Sequence, residues 1–382
     1  MRPVSPNQRL LSLDAFRGFT IAAMLLVNNP GDWGNLYAPL RHAAWDGWTF
    51  TDWIFPFFVF ISGISMTLSL GRRAALGDNK LHLLQQTVQR GAIIIGIGLL
   101  LNLIPNFDLA TLRIPGVLQR LGLCTILAAP IVLYCGWRAQ LVWLLGLLLA
   151  YTGVQMWVSV PDAAGVWHTG SLLPGEDVGA WLDRALMDGH LWRTSKTWDP
   201  EGLLSTVPAV ASQLAGVLVG HWLASQRAPI EKTVWMLVAG LGLLWIGQVL
   251  GAWSMPINTS LWSPAYVILM SGWACLVLGV FYWLLDAMPD PTDRATATYW
   301  ARPLMMFGMN ALFLFALSGL VAKLLGFIHT APQQTLKAWL YAPIQALGLA
   351  PVDASLLFAL LFTACHFVIA WAMWRKGWFV KV

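Results

Sequence analysis

In "RHAAWDGWTFTD" a histidine and two aspartates, His42, Asp46 and Asp52, stand within eleven residues of one another. Imidazole is the side chain that takes up a proton near neutral pH. A carboxylate beside it orients the ring and stabilises its protonated form. His42 with Asp52 therefore reads as a general base with an orienting acid. Asp52 also has a purely structural reading. "TFTD" is a capping box, with Thr49 at the N-cap and Asp52 at N3, immediately before an apolar run. The two roles are compatible, and His42 alone would pass for an ordinary interfacial histidine. The other six histidines (His82, His168, His190, His221, His329 and His366) show no paired metal spacing, so no metal is expected. There is no GxSxG elbow, no P-loop and no GxGxxG after a strand.

The elements that must hold these groups follow from composition. The chain of 382 residues is 58% hydrophobic and only 11% charged, with 23 tryptophans. A soluble domain carries about 25% charged residues, so this surface must meet lipid. A span needs roughly 20 mainly apolar residues to cross a ~30 Å hydrocarbon core. Ten stretches qualify, at 12–29, 50–70, 87–104, 115–135, 138–158, 203–223, 233–253, 263–285, 304–325 and 354–374. The expected fold is all-α: a polytopic helical bundle of about ten transmembrane helices, with 1–382 as a single membrane domain and one long outer connector at about 159–202.

Lys and Arg concentrate on one set of connectors, including Arg72, Arg73, Lys80, Arg138, Arg227, Lys232, Arg294, Arg375 and Lys376, with Arg2, Arg9 and Lys381 at the ends. The positive-inside rule then puts both termini in the cytoplasm and His42 outside. The net charge of +5 reads as membrane topology, because the basic residues are scattered singly and form no nucleic-acid patch. "MRPVSPNQR" resembles a signal n-region, but "VNNPGDWG" offers no cleavage site, so the first span is read as retained. The cysteines, Cys124, Cys135, Cys275 and Cys365, all fall inside spans and form no disulfide framework. No repeat of fixed period is visible. The long connector holds seven carboxylates against three cations. This is either an outside loop that simply lacks Lys and Arg, or an acidic vestibule that gathers a cationic ligand.

Charge at membrane depth is costly, by at least ~2.5 kcal/mol on the most lenient scale. Asp14 and Arg17 share one face at the inner end of the first span. They form an interfacial ion pair or hold an anionic ligand entering from the cytoplasm. Asn28 and Asn29 end that span, where C-capping is the ordinary role. "WDPEGLLS" reads as a span start, with Asp199 at the N-cap and Pro200 at N1. The residues alone give a ten-span protein with polar groups gathered at its outer face.

Their order gives more. "SLDAFRGFTIAAMLLVNN" and "RHAAWDGWTFTDWIFPFFVFISG" are followed by "LRIPGVLQRLG", "WDPEGLLSTVPA", "INTSLWSPAYV", "FGMNALFLF" and "WRKGWFVKV". Together they resemble the heparan-α-glucosaminide N-acetyltransferase family over nearly the whole chain. The resemblance implies acetyl transfer from cytoplasmic acetyl-CoA to the amine of a terminal glucosamine across the membrane. It places the catalytic histidine on His42 and the catalytic asparagine on Asn28, with Asn29 the alternative. Asp52 joins them as the carboxylate partner. Arg17, Asp14, Arg113 and Arg120 become the acetyl-CoA residues. Trp45, Asp46, Glu201, Asn258 and Trp262 become the acceptor residues, Asp46 standing where animal members commonly have asparagine. The amino-terminal lumenal domain of the animal enzyme has no counterpart here. A small amino sugar in a bacterial periplasm is the expected acceptor, and a homodimer in the inner membrane the expected assembly. An amine attacking a thioester must be unprotonated, which histidine can secure. Asn28 can donate to the carbonyl oxygen as charge develops on it.

A transporter of amino sugars is the rival reading, since a ten-span bundle with outward polar residues also serves transport. A structural scaffold leaves the His42 cluster without a reason.

Overall fold

The structure, a computed structural model, describes residues 10–331 and 333–380. Arg2, Arg9 and Lys381 of the charge argument, the "MRPVSPNQR" n-region and the last two residues of "WRKGWFVKV" lie outside the described residues. Thirteen helices of ten residues or more follow one another among the described residues. They are α1 (Leu11–Asn28), α2 (Ile54–Met66), α3 (Lys80–Leu103), α4 (Val117–Tyr134), α5 (Trp137–Trp157), α6 (Val178–Met187), α7 (Thr206–Ala224), α8 (Pro229–Trp253), α9 (Pro264–Tyr282), α10 (Pro291–Met309), α11 (Ala311–Phe327), α12 (Leu336–Gln345) and α13 (Pro351–Arg375). Helix α2 continues through a π-turn at Thr67–Gly71 into Arg72–Ala75. Nine of the helical segments are long and apolar enough to cross a membrane, ten if α10 and α11 count as one bent span.

That pair corrects the expected straight span at 304–325. Helices α10 and α11 meet at 70° at Asn310. The break is polar and satisfied: the buried Asn310 amide donates to the Trp378 carbonyl (3.0 Å) and accepts from the Val380 N–H (2.9 Å). Broken backbone at membrane depth persists only where such partners exist. The expected start at Asp199–Pro200 is corrected as well, because α7 begins at Thr206. The Asp199 carboxylate is taken by Arg113 and by the Glu201 N–H, so residues 199–205 form turns instead of a first helical turn. Helix α3 starts at Lys80, earlier than the expected 87, since Asn79 caps it by accepting from the N–H groups of Leu81 and His82.

Without a water-driven hydrophobic effect between them, membrane helices associate through close packing of small residues. Here α1 meets α10 through Gly18 and Gly308. A Cβ on Gly18 would lie 1.6 Å from the Leu304 carbonyl oxygen, and one on Gly308 2.0 Å from that of Asp14. Helices α2 and α7 meet the same way at Gly63 and Gly216. Helices α1, α2, α4, α7 and α9 form the interior, while α3, α5 and α8 turn most of their side chains outward. Helix α1 has no N-cap of its own. Asp286, just beyond α9, accepts from the Leu11 and Ser12 N–H groups (3.2 and 2.9 Å).

The connector at 159–202 is structured. It holds a hairpin of β1 (Ser159–Pro161) with β2 (Trp167–Thr169), paired Val160 to His168, and then α6, capped by Asp177. A second short hairpin, His329–Ala331 with Gln334–Thr335, precedes α12, so the fold is helical with two small β additions.

Candidate active site

His42 lies in the segment that joins the end of α1 to the start of α2. Its Nδ1 meets Asp52 Oδ1 at 2.6 Å. The partners differ in environment: the Asp52 side chain is fully buried, whereas 60% of the His42 side chain is exposed. The carboxylate sits on a short 3₁₀ turn, Phe50–Trp53, that leads into α2. The capping box read from "TFTD" is present. Asp52 Oδ2 accepts from the Thr49 N–H (2.9 Å), the Thr49 hydroxyl (3.2 Å) and the Ala43 N–H (3.1 Å). One carboxylate thus caps a helix with one oxygen and grips imidazole with the other. With Nδ1 held and the side chain largely exposed, Nε2 is left without a hydrogen-bond partner among the described residues. That is the geometry of a base awaiting a proton donor.

Two other segments hold this loop. Asp46 pairs with Asn258 in a short β-bridge, and its Oδ1 accepts from the Asn258 amide at 3.2 Å. The adjacent Gly47, at φ +100°, donates to the Ile257 carbonyl at 2.7 Å. Trp45 donates its indole N–H to the Leu172 carbonyl (2.9 Å) and meets the Trp198 ring edge-on at 5.1 Å. Of the expected acceptor residues, Trp45 and Asp46 lie on the loop beside His42, whereas Asn258 is wholly buried, its side chain spent on Asp46 and on the Leu261 N–H. Sequence reasoning missed Trp198 and Tyr266. Tyr266, wholly buried, donates its hydroxyl to the Asp52 carbonyl at 2.6 Å. Both stand inside quoted motifs, Trp198 opening "WDPEGLLS" and Tyr266 lying within "INTSLWSPAYV".

A second polar cluster lies on the same face. Arg113 binds Asp199 through Nε and Nη2 (2.9 and 2.6 Å) and also Glu201. Burial pulls its guanidinium down, but the two carboxylates outweigh that and hold it above its usual range. Arg113 and Glu201 are therefore engaged with each other. Arg120 is 1% exposed, donates Nη2 to the Gly202 carbonyl (3.1 Å) and to the Ser205 hydroxyl, and lies over the Trp262 ring. Its Nε and Nη1 meet no partner among the described residues. Trp262 is buried beneath it, donating to Ser212 (2.9 Å), and supports Arg120 from below the surface.

Asp183 of α6 closes the cluster. Its Oδ1 accepts from the Leu203 N–H at 2.9 Å, and it is 2% exposed. Burial pushes its carboxyl up to about 7, with the Leu203 N–H and Arg120 opposing and Asp199 adding to the rise. A carboxyl raised in the folded state binds its proton more tightly there than in the unfolded chain. Its contribution to stability is therefore full below about pH 4 and is lost as pH rises toward 7. Asp183→Asn keeps the acceptor for Leu203 and cannot ionise. It is expected to melt above the parent at pH 8 and level with it at pH 4, read by thermal unfolding in detergent. An equal gap between the two proteins at both pH values would exclude Asp183 as the source.

Asp14 and Arg17 lie near the other end of α1. They pair at 3.5 Å, and Arg17 Nη2 donates to Ser65 at 3.0 Å. The structure does not bring them together with Arg113 and Arg120, which sit at the His42 end. Asn28 is the last residue of α1 and exposed; Asn29 is buried, its amide spent on the Leu25 carbonyl at 2.8 Å. Of the two asparagines, Asn28 has the side chain open to the face.

The family model "Heparan-alpha-glucosaminide N-acetyltransferase, catalytic" matches residues 9–178. The human heparan-alpha-glucosaminide N-acetyltransferase (Homo sapiens) is 30% identical over 361 residues, covering 80% of this chain and 52% of its own length. The mouse protein of the same name (Mus musculus) is 28% identical over 364 residues, covering 81% and 53%. The chain spans about half the length of the curated relatives it matches.

Proposed function

Residues 9–178 match the heparan-alpha-glucosaminide N-acetyltransferase catalytic family model, and from that premise we propose that this membrane protein transfers an acetyl group from acetyl-CoA to the amine of a glucosamine-type sugar. The observation that carries the proposal is the 2.6 Å contact of exposed His42 with buried Asp52, inside the matched residues. The amine attacks the thioester carbonyl. His42 Nε2 takes the ammonium proton as the C–N bond forms and passes it to the sulfur as the C–S bond breaks. Asp52 orients the ring and stabilises it while charged. Asn28, open at the end of α1, is the donor assigned to the carbonyl oxygen.

The acceptor binds on the His42 face among Trp45, Asp46 and Trp198, with buried Asn258 holding Asp46 in place. This face is periplasmic and the termini cytoplasmic, as the distribution of Lys and Arg supports. The nucleotide end of acetyl-CoA enters near Asp14 and Arg17, and Arg120 meets the acyl end with its remaining N–H groups. Arg113 anchors the outer loop through Asp199 and Glu201. The protein sits in the inner membrane as a homodimer in which each chain is one catalytic unit. Sealed proteoliposomes with labelled acetyl-CoA on one side and glucosamine on the other test this. Labelled N-acetylglucosamine on the sugar side is expected. Sugar crossing unmodified, with no thioester consumed, would instead establish a transporter.

A further inference from the structure

We propose that Tyr266 is the positioning residue of the His42–Asp52 pair, its hydroxyl fixing the backbone on which the Asp52 carboxylate is mounted. The inference deepens the transferase reading and rests on it for its kinetic consequence alone.

The argument begins at a proline. In a continuing helix the Asp52 carbonyl would accept from the N–H four residues on, but residue 56 is proline and has none. Tyr266 fills that position from another helix, donating to the Asp52 carbonyl at 2.6 Å. The direction of the bond is fixed, because the Thr259 hydroxyl donates to the Tyr266 oxygen at 2.9 Å and leaves the phenol hydrogen for Asp52. Tyr266 has no freedom to drift. It is 0% exposed, sits in the first turn of α9 behind the cap Ser263, and meets the Trp262 ring edge-on at 5.4 Å.

The same segment also reaches the other side of the loop. Ser263 accepts from the Asn258 N–H (3.1 Å), and the Asn258 side chain reaches Asp46. Residues 257–266 thus clamp the stretch from His42 to Asp52 at two points, Asp46–Gly47 and the Asp52 carbonyl. Removing the second point releases the 3₁₀ turn that aims the carboxylate at Nδ1. A misplacement of about 1 Å at a reacting group lowers rates by about 10²-fold. A partial relaxation is expected to lower kcat about tenfold, with both KM values nearly unchanged.

The test uses the full-length chain in detergent with Tyr266→Phe, which removes one oxygen and keeps the ring. The rate of His42 acylation by diethyl pyrocarbonate is read by peptide mass spectrometry, with exposed His82 as internal reference. A fall of about threefold or more in the His42-to-His82 ratio is expected, since Nε2 reactivity depends on how Asp52 holds the ring. The tenfold loss of kcat at constant KM should accompany it. An unchanged ratio in folded protein overturns the proposal. Should the phenylalanine variant not fold, Thr259→Val removes the orienting donor and leaves the tyrosine. A smaller fall of the ratio then supports the proposal, and no fall overturns it. A lowered ratio in a chain whose parent transfers no acetyl group upholds Tyr266 and removes the transferase reading.

Discussion

His42→Ala is expected to lower acetyl transfer by about 10²- to 10⁴-fold, the range that a positioned general base contributes, without unfolding the protein. The second half of this expectation is structural. With 60% of its side chain exposed, His42 buries little, and its removal leaves no cavity. After the ring is gone Asp52 Oδ2 keeps its two backbone donors, the Ala43 N–H and the Thr49 N–H, while Oδ1 loses the imidazole. Water entering the space of the exposed ring takes its place at Oδ1, so the loss of stability should stay within the ~1–3 kcal/mol that an unpaired acceptor costs. The measurement is turnover of labelled acetyl-CoA by purified, monodisperse mutant, beside its melting curve. Parental turnover would remove His42 from the chemistry. Lost turnover with a collapsed melting curve would assign it to folding.

The site was legible in the sequence to the extent that local rules govern it. His42, Asp52 and the capping box lie within one short stretch, and the periodicity of caps and apolar runs places them at a helix start. What sequence could not supply were the long-range partners. Asn258 meets Asp46 across 212 positions and Tyr266 meets Asp52 across 214, and no spacing rule reaches so far. The Asp199 N-cap failed for a related reason. A local rule assigned its carboxylate to the nearest helix, but Arg113, 86 residues earlier, takes both of its oxygens through a two-pronged charged contact, and the Glu201 N–H it also accepts from belongs to a turn.

Among the spans, the strongly apolar ones matched because lipid imposes length and hydropathy directly. The ninth did not stay straight, since the partners that satisfy the Asn310 break come from the carboxy-terminal tail, after the last helix. Asp286 capping α1 is another contact of this type. In each case a polar group placed by the fold overrode the nearest sequence signal.

Asp52→Asn separates the two roles of this residue, and hydrogen-bond polarity predicts how. An amide has one acceptor oxygen and one donor nitrogen, and the two positions here are not equivalent. The Oδ2 position faces two backbone N–H groups, those of Ala43 and Thr49, and so must be filled by the amide oxygen. The amide NH₂ is then forced into the Oδ1 position, 2.6 Å from His42 Nδ1 in the parent. A donor there requires Nδ1 to accept, which places the ring hydrogen on Nε2. The nitrogen that must take the proton from the amine already carries one. Capping survives, so stability should fall by only about 1 kcal/mol or less. Catalysis should fall by about 10²- to 10⁴-fold, close to the His42→Ala value, and the double mutant should be little worse than either single one. Near-parental turnover with a lowered melting temperature would mean that Asp52 caps α2 and takes no part in the chemistry.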